Sequence, residues 1–211
     1  MTVAAVMTYD SLVDDITTYL ERTDTQTIDK IPQFIMFAEQ IIASEIKFLG
    51  NLVVVTSTMT QADNIIPKPS RWRKTVSMNV SVAGVRQPVL LRTYEYLREY
   101  WPDQTLTDVP KYFGDYDYDH WLVVPTPATG YTYEVLYYER NQPLDSSNQS
   151  NWFTEYAPQA LLYGSLLQAM PFLKNDERIP MWQAQYDKII AVLQNENAIR
   201  VADRQAIARD T

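Results

Sequence analysis

Three acidic residues alternate with two tyrosines at Asp115-Tyr116-Asp117-Tyr118-Asp119, the spacing of the first ligands of a calcium loop. The match ends there. Position six of such a loop is His120 rather than the glycine its turn requires, and position twelve is Thr126 rather than a bidentate glutamate. A hairpin tip is the plainer reading. Glu95 and Glu99, at i and i+4, and Glu134 and Glu139 are carboxylates that could share acid and base work, as in glycoside hydrolysis. Thiol nucleophiles, thiolate zinc sites and disulfides are excluded, because the 211 residues include no Cys. With His120 the single histidine, triads and His-based metal sites have almost nothing to work with. No phosphate-binding glycine loop, dinucleotide fingerprint, nucleophile elbow or zincin helix occurs.

Binding chemistry has more to offer. Arg71-Trp72-Arg73-Lys74 joins cations to an aromatic, a combination that holds single strands by stacking and phosphate contact. A formal charge of −8 weighs against that use, since nonspecific affinity for nucleic acid comes from neutralising phosphates. Ten of the fifteen tyrosines fall between Tyr94 and Tyr138, more than one small core can use. Tyr offers a large apolar area with a polar tip, so some of these belong at a protein contact or a sugar platform. Near the C-terminus Arg200 and Arg204 stand at i and i+4. The segment from Asn195 onward carries a thin apolar set of Ile199, Val201 and Ile207, the composition of a tail that orders on a partner.

These residues need elements to position them. Leu12, Val13, Ile16, Tyr19 and Leu20 form one helical stripe, capped by Thr8. A second helix starts near Asp29 or Ile31, tolerates Pro32 in its first turn, buries Ile31, Ile35, Ala38 and Ile42, and stops at Gly50. From Leu52 the period becomes two: Thr75 to Val82 alternates throughout, Ala83-Gly84 turns the chain, and Arg86 to Leu91 returns. Thr93 to Tyr100 reads as a short helix before Pro102, and strands resume at Val109–Phe113, His120–Val124 and Tyr131–Glu139. This spacing suggests a meander or small sandwich rather than βαβ units. Helical signals return at Pro158, through Leu161, Leu162 and Leu166, and a last helix capped by Asp176 carries Ile179, Trp182, Tyr186, Ile189 and Leu193. No charged region precedes the apolar start Met1 to Met7, which argues against a secretory signal, and no segment is long and apolar enough to span a bilayer.

The expected fold is α+β: an antiparallel bundle of about four helices with an inserted antiparallel β lobe, a small sheet or sandwich. Residues 1–50 and 144–194 supply the two helix pairs, 51–143 the lobe with one short helix, and 195–211 a C-terminal extension.

Several stretches in order carry a resemblance. They are Ile35-Met36-Phe37-Ala38-Glu39-Gln40-Ile41-Ile42, Pro110-Lys111-Tyr112-Phe113, His120-Trp121-Leu122-Val123-Val124-Pro125-Thr126-Pro127, and Tyr131-Thr132-Tyr133-Glu134-Val135-Leu136-Tyr137-Tyr138. Leu144, Trp152-Phe153, Tyr156, Pro158, Leu161-Leu162-Tyr163-Gly164, Leu167, Ala169, Pro171-Phe172-Leu173 and Asp176-Glu177-Arg178 follow. From Tyr9 to Gln194 the chain resembles the head-to-tail adaptor (head-completion) proteins of tailed bacteriophages, the group that includes the tail tubular protein A of short-tailed phages. The resemblance implies a helical bundle with a β lobe, copies arranged in a typically dodecameric ring beneath the portal protein, a tail or neck (nozzle) protein on the other side, and genome DNA passing through without sequence-specific binding. It places the chain in the virion, at the head–tail junction, with no cofactor, no metal, no membrane and no enzymatic activity. Portal docking is expected at Ile199, Arg200, Arg204, Ile207 and Arg209. The tail side or subunit interface is expected at Tyr112, Tyr116, Tyr118, Trp121, Arg71, Trp72 and Arg73. Two alternatives stay open: a sugar-binding or peptidoglycan-degrading tail component using Glu95 or Glu99, and a single-strand binder using Arg71 to Lys74.

Overall fold

The computed structural model describes the backbone of residues 7–46, 51–173 and 177–206, and their side chains apart from 173 and 200–206. The chain is α+β and divides into two compact units. One contains residues 1–51 and 141–211, the other Leu52–Arg140.

In the helical unit, α1 (Tyr9–Leu20) starts at Thr8, whose hydroxyl accepts from the Ser11 N–H. It buries Leu12, Ile16 and Leu20, the spacing of a single helix face. A short α2 (Thr25–Ile28) leads into α3 (Ile31–Glu45), with Pro32 in its first turn where a missing N–H costs nothing. This helix ends at Glu45, earlier than expected, because Ile46 turns extended at φ −121°. The proposed stop at Gly50 lies outside the described residues. After a polar segment come α5 (Trp152–Tyr156), α6 (Pro158–Gln168), α7 (Met170–Leu173) and α8 (Ile179–Ala206). The proposed cap Asp176 is also outside the described residues, and α8 runs past Asn195 without a break. Packed against α1, α3, α5 and α8, α6 buries residues around much of its circumference. Gly164 lets α6 approach closely: a Cβ there would stand 3.3 Å from both the Ala38 Cβ and the Tyr186 ring.

The β unit begins with β1 (Leu52–Thr58), β2 (Ile65–Pro67), β3 (Trp72–Val82) and β4 (Val85–Leu91). Then come α4 (Tyr94–Tyr100), β5 (Thr107–Asp108), β6 (Tyr112–Asp115), β7 (His120–Val124), β8 (Thr126–Pro127) and β9 (Thr132–Glu139). Seven strands form a curled sheet in the order β1-β9-β3-β4-β6-β7-β2. Residues from across this sheet, including Ile66, Val80, Val89, Phe113, Trp121 and Tyr137, meet in one core.

Two features depart from the sequence reading. The sheet is not wholly antiparallel: Leu90 and Leu91 of β4 pair in parallel with Tyr112 and Phe113 of β6, and a separate two-stranded sheet pairs β5 in parallel with β8. The link from β4 to β6 contains α4, a crossover of the kind parallel pairing needs. The alternation of Thr75 to Val82 is also broken. A bulge between Thr75 and Ser77 leaves Val76 without a place in the register and 40% exposed, while Met78 and Val80 are buried.

Candidate functional site

The β6–β7 hairpin carries the Asp-Tyr repeat, and two of its three carboxylates, Asp115 and Asp117, are occupied by the protein itself. Asp115 lies 2.8 Å from the Lys68 ammonium. Asp117 takes the Asp119 N–H at 2.8 Å and meets the His120 Nδ1 at 2.9 Å. Partial desolvation raises the Asp117 pKa, but the hydrogen bonds from His120 and from the Asp119 N–H outweigh it and hold the carboxyl below its usual range. Among the described residues no group of three His, Cys, Asp or Glu side chains is placed to hold a metal.

Lys68, which the sequence analysis passed over, organises the tip. Its ammonium donates to the Asp117 and Tyr118 carbonyls and sits 4.2 Å from the centre of the Trp72 ring. Its only outward signal is a cation held between Pro67 and Pro69. Trp72 is thereby covered on one side by Lys68, meets Trp121 edge-on at 6.1 Å, and donates its indole N–H to Thr75. It is not an open stacking platform. Arg71 pairs with Glu139 at 3.0 Å, Arg73 is half-buried, and Trp121 lies in the core at 1% exposure rather than on the surface.

The tip displays two tyrosines. Tyr118 is 69% exposed and accepts from Arg140, whose backbone N–H in turn donates to the Arg71 carbonyl. Tyr116 packs against Tyr94 of α4. Tyr112, at the other end of β6, meets the rings of Tyr96 and Tyr100 edge-on. Arg92 lies over Tyr96 and Tyr112, and Arg98 over Tyr94. Exposed Leu90 and Leu91 lie where β4 leads toward α4. The fold thus gathers Arg71, Trp72 and Tyr118 around Lys68 and Arg140, while Tyr116 and Tyr112 each pack against rings of α4. Tyr133 and Tyr137 belong to the core, where burial pushes both phenols up. Glu95 and Glu99 stand exposed on α4. The surface offers tyrosine and arginine, residue types enriched among interface anchors, beside exposed leucine area.

Among the C-terminal candidates, Ile199 is 55% exposed on α8. Arg200 and Arg204 lie on the helical backbone with side chains outside those described, and Ile207 and Arg209 lie outside the described residues.

The SU10 adaptor protein family matches residues 7–209. The chain belongs to this family. A search of curated proteins gives no match. Its α+β architecture has a curled sheet, and no helix among the described residues is long and apolar enough to cross a membrane.

Proposed function

We propose that this family member is a non-enzymatic structural adaptor of a tailed phage, joining the portal protein to a tail or neck protein at the head–tail junction of the virion. The family match over residues 7–209 carries the reading. Copies form a dodecameric ring through which the genome passes. A closed ring places two different surfaces of each copy in contact, so the chain must present more than one interface. The acidic balance of −8 gives the lumen a charge that repels DNA phosphate and keeps the passage free of adhesion.

The exposed hairpin tip supports the tail-side or subunit role of Tyr116 and Tyr118, with Arg71, Trp72 and Arg73 where the chain enters β3 and Tyr112 in the ring cluster on α4 completing the surface. Trp121 serves this surface from below, by packing against Trp72. The portal side uses Ile199, Arg200, Arg204, Ile207 and Arg209. In α8 the core residues end at Ile190, with Leu193 packed at their edge. The turns from Gln194 to Ala206 continue for roughly 20 Å at 1.5 Å per residue, a reach suited to docking.

Deleting Asn195–Thr211 tests the assignment. Far-UV circular dichroism should show a fold intact up to the cut, while attachment to portal-bearing heads is abolished. Normal attachment of the truncated chain would overturn the portal-docking role. Electron imaging of assembled particles should place the chain at the head–tail vertex, and its absence there would overturn the adaptor reading as a whole.

A further inference from the structure

The two edges of the seven-stranded sheet are built differently. At one edge, β2 has three residues and ends on Pro67, which has no N–H to offer. At the other, β1 pairs with β9 over seven residues, Leu52↔Tyr138 to Thr58↔Thr132, with no register shift. Its sequence, Leu-Val-Val-Val-Thr-Ser-Thr, contains no charge, no proline and no glycine. Soluble proteins usually blunt such an edge with a charge, a proline or a bulge, and β1 has none of the three.

Which groups point outward follows from the register. The Met59 N–H donates to the Tyr131 carbonyl at 2.9 Å. Hydrogen-bonded positions alternate in an antiparallel pair, so those of Ser57, Val55 and Val53 face β9. The opposite side of β9 agrees: Arg140, even-numbered, donates to the Arg71 carbonyl ahead of β3. Leu52, Val54, Thr56 and Thr58 therefore turn their N–H and C=O groups away from the sheet. The core is also incomplete at this edge. Val53 and Val55 are only partly buried against it, whereas their partners Tyr137 and Val135 on β9 are each 1% exposed.

We propose that the free edge of β1 receives an extended strand from a different protein of the connector, by strand addition to the sheet. The two faces state its chemistry: apolar side chains over Val53 and Val55, alternating with uncharged polar or β-branched ones beside Val54 and Thr56. A second copy fits less well. Its β2 edge is too short to match seven residues, and β1 paired with its own counterpart is a two-fold contact that closes two copies rather than a ring. This inference rests on the adaptor reading for the source of the strand.

Amide hydrogen exchange on the full chain, alone and in assembled particles, tests it. The amides of Val54 and Thr56 should exchange rapidly in the free chain and about a hundredfold more slowly in particles. Val54→Lys and Thr56→Pro should each remove that protection; the proline replaces an N–H that the chain's own sheet does not use. Rapid exchange in particles that do contain the chain overturns the strand addition and leaves the adaptor role standing. Failure of the chain to enter particles overturns both. Protection already present in a free dimer overturns it in favour of a second copy.

Discussion

The ammonium of Lys68 lies 2.8 Å from the carboxylate of Asp115, and the two ends of the pair are in different surroundings, with side-chain exposures of 3% and 69%. An exposed carboxylate is screened by water and contributes little. The buried ammonium has further partners: the carbonyls of Asp117 and Tyr118 and the face of Trp72. The pair is therefore asymmetric. Lys68 holds the hairpin tip to the loop entering β3, and Asp115 is one of several acceptors.

Substitutions at the two positions should separate these roles. Lys68→Met removes charge-assisted bonds and should cost about 2 kcal/mol. Asp115→Asn should cost less than about 1 kcal/mol. Denaturant unfolding followed by tryptophan emission measures both, and equal losses would contradict the asymmetry. Lys68→Met should also mobilise Tyr116 and Tyr118, and so weaken tail joining before it weakens head attachment.

The β3–β4 turn stores strain that can be relieved. Val82 pairs with Val85, so Ala83 and Gly84 form a two-residue loop, with φ +50° and +80°. Positive φ at both positions is the primed turn that suits a hairpin, and Asn-Gly is its favoured sequence. Alanine pays for the left-handed conformation through its Cβ. Ala83→Asn should stabilise the β unit by about 0.5–1 kcal/mol, raising its melting temperature by about 2–8 °C. An unchanged or lower melting temperature by calorimetry would show that the turn is not strained.

Local patterns were legible wherever neighbours in sequence set the outcome. Leu12, Ile16 and Leu20 could be assigned to one helix face because helix geometry alone brings them there. The turn at Ala83-Gly84 and the short helix α4 are equally local, although Thr93, read as its first helical residue, is its N-cap. Val76 was not legible, since the bulge that exposes it depends on its register with β9. Nor was the parallel pairing of β4 with β6, which joins residues more than twenty positions apart. The tyrosine count pointed to a surface, but only the curl of the sheet decides that Tyr118 is displayed and Tyr137 enclosed. Glu39 left a trace: it stands at i+4 from Ile35 and i−3 from Ile42, inside the buried stripe of α3. What it does there depends on residues 105 and 112 positions away.

Glu39 is 6% exposed and accepts from the Leu144 N–H at 3.3 Å and the Asn151 side-chain amide at 2.6 Å. It thus ties the segment before α5 to α3. Burial penalises its charged form more than these two bonds favour it, and its pKa rises from 4.5 to about 7. The direction of the stability effect follows by linkage. Between those two values the folded chain keeps a proton that the unfolded chain has released, so stability falls as pH rises. The contribution is fully present below about pH 4.5 and lost above about pH 7, and it amounts to on the order of 3 kcal/mol. Glu39→Gln is neutral throughout and should remove this slope, leaving the variant more stable relative to the parent at pH 8 than at pH 5. Thermal unfolding of both chains at intervals from pH 4.5 to 8 makes the comparison, and parallel curves would mean that Glu39 is ionised in the fold across the whole range.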